Sequence, residues 1–479
     1  MNNVKEAAIG TVDSMAESVI EIADRIWDNP ELSLKEYNAA KLFCDALREN
    51  GFEVTEKLCG IDTAFCGSFG SGRPYIGILG EFDALSGLSQ EANALTLSPI
   101  IPGGNGHGCG HNLLGAGSFA AALAVKDYLQ RTGKSGTVIF YGCPGEEGGS
   151  GKAFMAREGH WTKLDAAISW HPADINEVRT GTNNSSIQVL YKFHGVASHA
   201  ASAPEQGRSA LDAVELMNVG AQFLREHMTD DCRIHYSILN AGGASPNVVQ
   251  AEAEVLYMVR ANKVRDCVAL LKRVDKLAEG AAIMTETGYD RIFIDGTSEL
   301  IPNYALEKLM FRCFTDIGLP SYTEEELSFA AKLKATLAPE TTPPGTGAKF
   351  EPEIAEQVRS LTENMTKPMY DFIMPRYSGT GFMPGSNDVG DVSWQTPAAT
   401  FYAAAWPGGT PAHSWQSTTC GKSSIAHKGM LCAAKVLALT AMELIDDPAL
   451  LKIVREEYER RSADGYTCPI EPQAKPIAL

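Results

Sequence analysis

Residues 105–115, NGHGCGHNLLG, set Cys109 and His111 among four glycines at the head of an apolar run. Glycine at this density costs backbone entropy, so the loop serves something other than stability. Three chemistries suit it: cradling a phosphate, presenting a nucleophile, or holding a metal ion with distant partners. Other residues capable of chemistry are scattered: Glu146 and Glu147 in PGEEGGSGK, His171 in SWHP and His413 in GGTPAHSWQ. Thiolate, imidazole and carboxylate together suit Zn²⁺, with a softer case for Mn²⁺ or Co²⁺.

Taken singly, each has an ordinary explanation. A cysteine is often a small buried hydrophobe, a histidine after a strand often completes a local hydrogen bond, and a Glu pair before glycines is usually a solvated turn. Missing motifs narrow the field. There is no GxGxxG, no GxSxG and no HExxH. The segment EEGGSGK resembles a phosphate loop, but Glu146 stands where its first glycine is needed and Ala153 follows the lysine.

The elements that must position these residues are readable from periodicity. Val12, Met15, Val19, Ile22 and Ile26 recur at helical spacing, predicting a helix over 12–27. A second helix stops near Gly51. PYIGILGEFDAL reads as a strand entering an acidic loop, 113–130 as an apolar helix, GTVIFYG as a strand before the Glu pair, and DAAISWHP as a strand ending at His171. Strands alternating with helices predict an α/β fold with a mixed, largely parallel sheet. Sites in such sheets gather at the carboxyl ends of strands. After residue 185 the order becomes β-α-β-β-α-β, a complete α+β unit that reads as an insertion. Domain boundaries follow: 1–185 with 298–479, interrupted by 186–297. Residues 320–385 are a polar excursion with a helix over 353–364.

Composition bounds the class. The chain has 479 residues, 44% hydrophobic and 21% charged, with a net charge of −18. That balance argues against nucleic acid or an anionic membrane as partner. No run approaches the ~18 apolar residues of a membrane helix. The acidic, amphipathic N-terminal stretch does not read as a secretory signal. Eleven cysteines without framework spacing fit a reducing, cytoplasmic setting.

The ordered set GHGCGHN, PGEEGGSGK, SWHP, GVASHAASAP, SPNVVQAEAEVLYMVRA and GGTPAHSWQ, with NPELSLKEY and NDVGDVSW, resembles the M20 family of metallo-amidohydrolases and peptidases along almost the whole chain. The resemblance implies an aminopeptidase-like catalytic domain with two divalent metal ions, Zn or Mn, and an inserted ferredoxin-like lid that mediates dimerisation. It implies Cys109, His111, Glu147, His171 and His413 as ligands, Cys109 bridging, and Glu146 as general base. It assigns His199 to a partner subunit's active site, and Asn247 and Arg260 to a substrate carboxylate. Asp83 is expected to orient a ligating histidine. Asn112 stands where many relatives carry Asp, which removes a charge beside the metals. Asp388 and Asp391 either support the site or cap a helix; His107 is a helix-start or supporting residue. His160, His194, His227, His235 and His427 are expected to be structural or exposed.

The expected activity is cleavage of an N-acyl or aryl-acyl amino acid, glutamate being the most concrete case, by metal-activated water. The substrate is then a small amide bearing a carboxylate. The assembly is a homodimer or a heteromer with a related subunit. Competing readings are a dipeptidase for β-alanyl or other dipeptides, an amidase with Cys109 or Cys143 as nucleophile, and a subunit active only beside a related chain.

Overall fold

The computed structural model describes residues 3–338, 352–362, 367–377 and 381–478. Thirteen strands occur among them: β1 (Glu53–Glu56), β2 (Phe65–Ser71), β3 (Tyr75–Gly80), β4 (Gly136–Gly142), β5 (Ala166–Ala173), β6 (Glu177–Val178), β7 (Thr182–Asn183), β8 (Ser185–His194), β9 (Arg233–Asn240), β10 (Glu252–Ala261), β11 (Gly288–Thr297), β12 (Phe382–Met383) and β13 (Ala398–Ala404). Seven form one sheet in the order β1-β2-β4-β3-β5-β13-β6. Its centre, β4-β3-β5-β13, is parallel and its flanks are antiparallel. The fold is therefore a mixed α/β architecture.

Burial explains why the centre is parallel. Ile76, Ile78, Val138, Phe140, Ala166 and Ile168 are wholly inaccessible, as expected of strands covered on both faces. The helices His111–Thr132 and Ser424–Asp446 pack against one another over this sheet. The first is buried through Val125 with no polar face, so its sequence is apolar rather than amphipathic. Phe43, Phe65, Phe82, Phe119 and Phe140 form a connected aromatic cluster beneath it.

The second sheet, β11-β8-β10-β9, is antiparallel throughout. With the helices Ala210–Arg225 and Val264–Thr285 it has the β-α-β-β-α-β order read from the sequence. The short parallel pair β7–β12 lies apart from both sheets.

Some elements differ from expectation. The predicted opening helix is two helices, Asn3–Ser14 and Ala16–Asp28, broken at Met15, whose ψ is 5°. Apolar spacing continues across the break, which is why periodicity reads through it. The strand β2 pairs with both β1 and β4; its glycines and serines hide its β character. In the polar excursion, the helix Glu324–Lys334 starts on a Thr323 capping box. The helix Pro352–Thr362 occupies most of the span predicted at 353–364, whose last two residues lie outside the described residues. No helix among the described residues is long and apolar enough to cross a membrane.

Candidate metal centre

The carboxyl ends of β3, β4, β5 and β13 share one edge of the sheet because these strands are parallel neighbours. That edge carries Glu81 and Asp83 after β3, Glu146 and Glu147 after β4, His171 near the end of β5, and His413 beyond β13. The glycine-rich loop closes over it. A Cβ at Gly106 would stand 1.9 Å from the Leu88 carbonyl oxygen, so this close approach excludes a side chain. Gly110 turns into the helix at φ 74°. The loop is fastened to the distant histidine: the His413 N–H donates to the Gly108 oxygen at 3.0 Å, and the Ser417 hydroxyl to the same oxygen at 2.7 Å. His413 itself has φ 57°, a left-handed conformation that costs energy for a non-glycine residue.

Two histidines have their tautomers set from behind. His111 Nδ1 donates to Asp83 Oδ1 at 2.9 Å, and His171 Nδ1 to the Pro172 carbonyl at 2.7 Å. Each Nε2 thus faces the site, where the neutral imidazole would offer a lone pair to a metal ion. His171 Nε2 lies 3.4 Å from Cys109 Sγ, and His413 Nε2 lies 3.4 Å from Glu147 Oε1. Donor atoms fall within 4.8 Å of one another in three sets: Cys109–His111–His171, Cys109–Glu147–His413 and Glu81–His111–Glu146. Cys109 belongs to two of them.

His111 Nε2, Glu147 Oε1 and Glu81 Oε2 are buried without a hydrogen bond. Buried polar atoms are rarely left so, and these converge with a thiol and two imidazoles. The donor set, a mixture of nitrogen, oxygen and sulfur, therefore fits divalent cations.

The electrostatics separate the carboxylates. Burial opposes charge on Asp83, yet the His111 hydrogen bond and charge, with donors from Glu147 N–H and the Ser33 hydroxyl, hold it at about 2. Burial also opposes charge on Glu147, but the His413 and His111 imidazoles outweigh it and keep the carboxyl low. Burial, with Glu81 and Glu147 nearby, pushes Glu146 well above the ordinary carboxylate range. Adjacent glutamates thus differ in proton affinity. Asn387 donates to Glu146 Oε1 at 2.9 Å and fixes its direction. Glu36, itself pushed up to about 8 by burial and by Asp83, accepts from Gly145 N–H at 2.9 Å and pins the loop before the pair.

Three residues at the site escape a reading of the sequence. Glu81 stands two residues before Asp83, and in an extended chain such residues share a face; that spacing is the available signal. Lys152, the lysine of the failed phosphate loop, is completely buried between Glu81 Oε1 at 2.7 Å and Asp388 Oδ1 at 2.6 Å. Asn387 carries no signal of its own. Asp388 therefore serves Lys152, including its backbone N–H at 2.9 Å, and makes no helix cap. Asp391 accepts from Ser298 and Tyr466.

Asn112 departs from expectation. Its amide donates to the Ala23 and Gly421 carbonyls at 3.3 and 3.1 Å, while its Oδ1 is buried without a hydrogen bond. These bonds tie it to the helix Ala16–Asp28 and to the end of the helix Trp415–Cys420, because the helical twist turns position 112 to a different face from His111. His107 is likewise structural, bonded to the Ile26 carbonyl and pushed down to about 4 by burial. His194 bridges Glu252 and Asp290, His427 meets Asp24, and His160 packs on Tyr141 and Trp161.

His199 and Asn247 lie together on an exposed tip of the second sheet, joined by Ala200 N–H to the Asn247 oxygen at 3.0 Å. His199 Nδ1 accepts from Ala201 and Ser202 N–H, which leaves its Nε2 as the outward donor. Arg260 on β10 donates to Ser386 at 2.7 Å and lines a groove with Arg233 and His235.

Residues 77–443 match the model of peptidase family M20/M25/M40. The chain is 43% identical over 475 residues to the B subunit of p-aminobenzoyl-glutamate hydrolase from Escherichia coli K12, covering 98% of each. It is 27% identical over 470 residues to the Xaa-Arg dipeptidase of Mus musculus, covering 95% of this chain and 92% of that one. Its fold resembles the aminobenzoyl-glutamate utilization protein of Klebsiella pneumoniae, with TM-score 0.60 and 15% identity over 92% of this chain and 98% of that one. A dinuclear metal binding M20 peptidase of Bacillus subtilis superposes with TM-score 0.53 and 16% identity over 91% and 99% of the two chains. With strand-end carboxylates and imidazoles on one sheet edge and a loop thiol closing over them, the chain belongs to peptidase family M20/M25/M40 and is a hydrolase of that family.

Proposed function

We propose that this enzyme hydrolyses the amide bond of N-acyl or aryl-acyl amino acids of the p-aminobenzoyl-glutamate kind, using two divalent metal ions, Zn or Mn. The observation that carries the reading is Cys109 shared between two donor sets, in which His111 Nε2 and Glu147 Oε1 are buried without a hydrogen bond. Kinship with the p-aminobenzoyl-glutamate hydrolase of Escherichia coli supplies the substrate class.

Cys109, His111, Glu147, His171 and His413 would hold the ions, Cys109 serving both. The ions supply Lewis acidity, lowering the proton affinity of a water and polarising the amide carbonyl. Asp83 keeps His111 in the tautomer that offers Nε2. Glu146, held by Asn387, takes the water proton at its carboxylate and returns it to the leaving nitrogen. Residues 1–185 and 298–479 act as the catalytic domain and 186–297 as a lid and dimerisation domain. In that arrangement His199 serves a neighbouring active site, and Asn247 and Arg260 bind a substrate carboxylate. The partner is a second copy or a related subunit, and the setting is cytoplasmic.

The cysteine-nucleophile reading loses ground at Cys143, whose thiol burial pushes up to about 12, far from the reactive thiolate such an enzyme needs. The test is a panel of p-aminobenzoyl-glutamate, other N-acyl amino acids and β-alanyl dipeptides, assayed with chelator and after adding back Mn²⁺ or Zn²⁺. Chelator loss, metal rescue and preference for the acyl-glutamate are expected. Preference for dipeptides, or full activity in chelator, overturns the reading. Turnover that appears only when a related subunit is added assigns the chain to a heteromer.

A further inference from the structure

A partly enclosed cavity adjoins the metal centre. It reaches from Glu81 and His171 to Arg179, with Thr180, Thr400 and Tyr402 in its wall. The Arg179 guanidinium lies over the Tyr402 ring, 5.2 Å from its centroid, and the same ring meets His171 edge-on at 5.8 Å. Such a cation–π contact does not consume the guanidinium N–H donors, which remain for hydrogen bonds. Among the described residues its one side-chain contact of hydrogen-bond kind is Nη2 to Met383 Sδ at 3.2 Å. A thioether is a weak acceptor and no counter-ion. Among the described residues no carboxylate lies within ion-pair distance of Arg179.

The rest of the wall is poorly partnered too. Thr180 Oγ1, Thr400 Oγ1 and Glu307 Oε2 are buried without a well-formed hydrogen bond, and all three residues line this cavity. Burial pushes Glu307 up to about 8, so at neutral pH it adds a donor rather than a charge that would neutralise Arg179. Burial raises the Glu177 carboxyl as well, against the pull of Arg179. Glu81, at the metal end, is held by Lys152. The Arg179 end thus presents one cation and several donors with no paired anion. Withdrawing a cation from water without pairing it is costly, so the structure calls for an anion to enter.

We propose that Arg179 is a specificity-determining residue that receives a carboxylate of the amide substrate in the cavity beside His171. The proposal rests on the amidohydrolase reading for the identity of the substrate, and the cavity's chemistry alone asks for a carboxylate. It assigns an acidic substrate to a site on the metal-bearing sheet itself, separate from Arg260 on the second sheet.

The experiment titrates glutarate, and the neutral glutaramide as control, into the metal-loaded protein by calorimetry, for wild type, Arg179→Met and Arg179→Lys. Steady-state kinetics on p-aminobenzoyl-glutamate accompany it. Arg179→Met is expected to weaken glutarate and raise KM about tenfold to a hundredfold, as loss of a charged hydrogen-bond partner implies. The value of kcat should change by less than about threefold, and metal content and glutaramide binding should be unaltered. Arg179→Lys keeps the charge without the fork, and should fall between; it carries the test if the methionine variant does not fold. Unchanged glutarate affinity in the variants, or an equal loss for glutaramide, overturns the proposal. A wild type that binds glutarate through Arg179 but cleaves no N-acyl amino acid refutes the amidohydrolase reading and leaves the carboxylate site standing.

Discussion

Asp83 Oδ1 lies 2.9 Å from His111 Nδ1, and both side chains are inaccessible to solvent. This contact decides which imidazole nitrogen offers a lone pair to the site. Asp83→Asn would keep the shape but replace a charged acceptor, and a flipped amide would favour the wrong tautomer. Metal affinity should fall about 10–100-fold. Competition against a graded series of chelators, with metal counted by mass spectrometry, checks it; unchanged retention would contradict the orienting role.

Glu146 and Glu147 are neighbours with different partners, Asn387 for Glu146 and His413 for Glu147, and the assigned roles differ accordingly. Glu146→Ala should retain metal and lose roughly 10²–10⁴-fold in kcat, the span typical of a general base. Glu147→Ala should lose metal as well. Paired measurement of metal content and turnover distinguishes them. Full activity in Glu146→Ala with metal bound would remove it from the reaction.

Lys152 is the counter-ion of two buried carboxylates. Lys152→Met strands Glu81 and Asp388, and breaking such a buried cluster costs about 3–5 kcal/mol. Adding Asp388→Asn should restore part of that loss, since one stranded charge is then gone. Chemical denaturation of the single and double variants reads the coupling; simple additivity would show that the contacts are energetically independent.

Glu307 gives the pH prediction. Its folded proton affinity, about 8, lies above the ordinary value of 4.5. Between those values the folded chain keeps a proton that the unfolded chain has released, so stability from this group falls as pH rises and levels off above about 8. Glu307→Gln removes that slope. The variant should match wild type below about pH 4.5 and exceed it by up to a few kcal/mol at pH 8. Denaturation midpoints across pH 5–8 measure the difference, and parallel curves would refute it.

Asn112 carries the reverse of the expectation drawn from its neighbours in sequence. Both its amide donors face carbonyl oxygens in a fully buried position. Asn112→Asp would set an acceptor against acceptors and cost about 1–3 kcal/mol, while metal affinity stays within a factor of about two of wild type. A melting curve and a metal titration separate the two effects; a large metal effect without destabilisation would return Asn112 to the site.

Local pattern in the chain specifies the elements and where reactive side chains sit on them. Alternation and helical spacing act over a few residues, so β3, β4, β5 and the β-α-β-β-α-β order were legible, and so were the strand-end positions of Glu146, Glu147 and His171. The shared motifs led to Cys109, His111 and His413 and to the family. Which side chains meet depends on the folded chain. The order β4-β3-β5-β13 brings chain segments more than two hundred residues apart to one edge, and no local pattern encodes that adjacency. Glu81 looked like one more charge on an acidic loop, Lys152 like part of a failed phosphate loop, and Arg179 drew no notice. Each takes its meaning from a partner, or the lack of one, across the sheet. For Asn112, a neighbour in sequence of His111, the helix twist outweighed proximity, because adjacent helical residues face different surroundings.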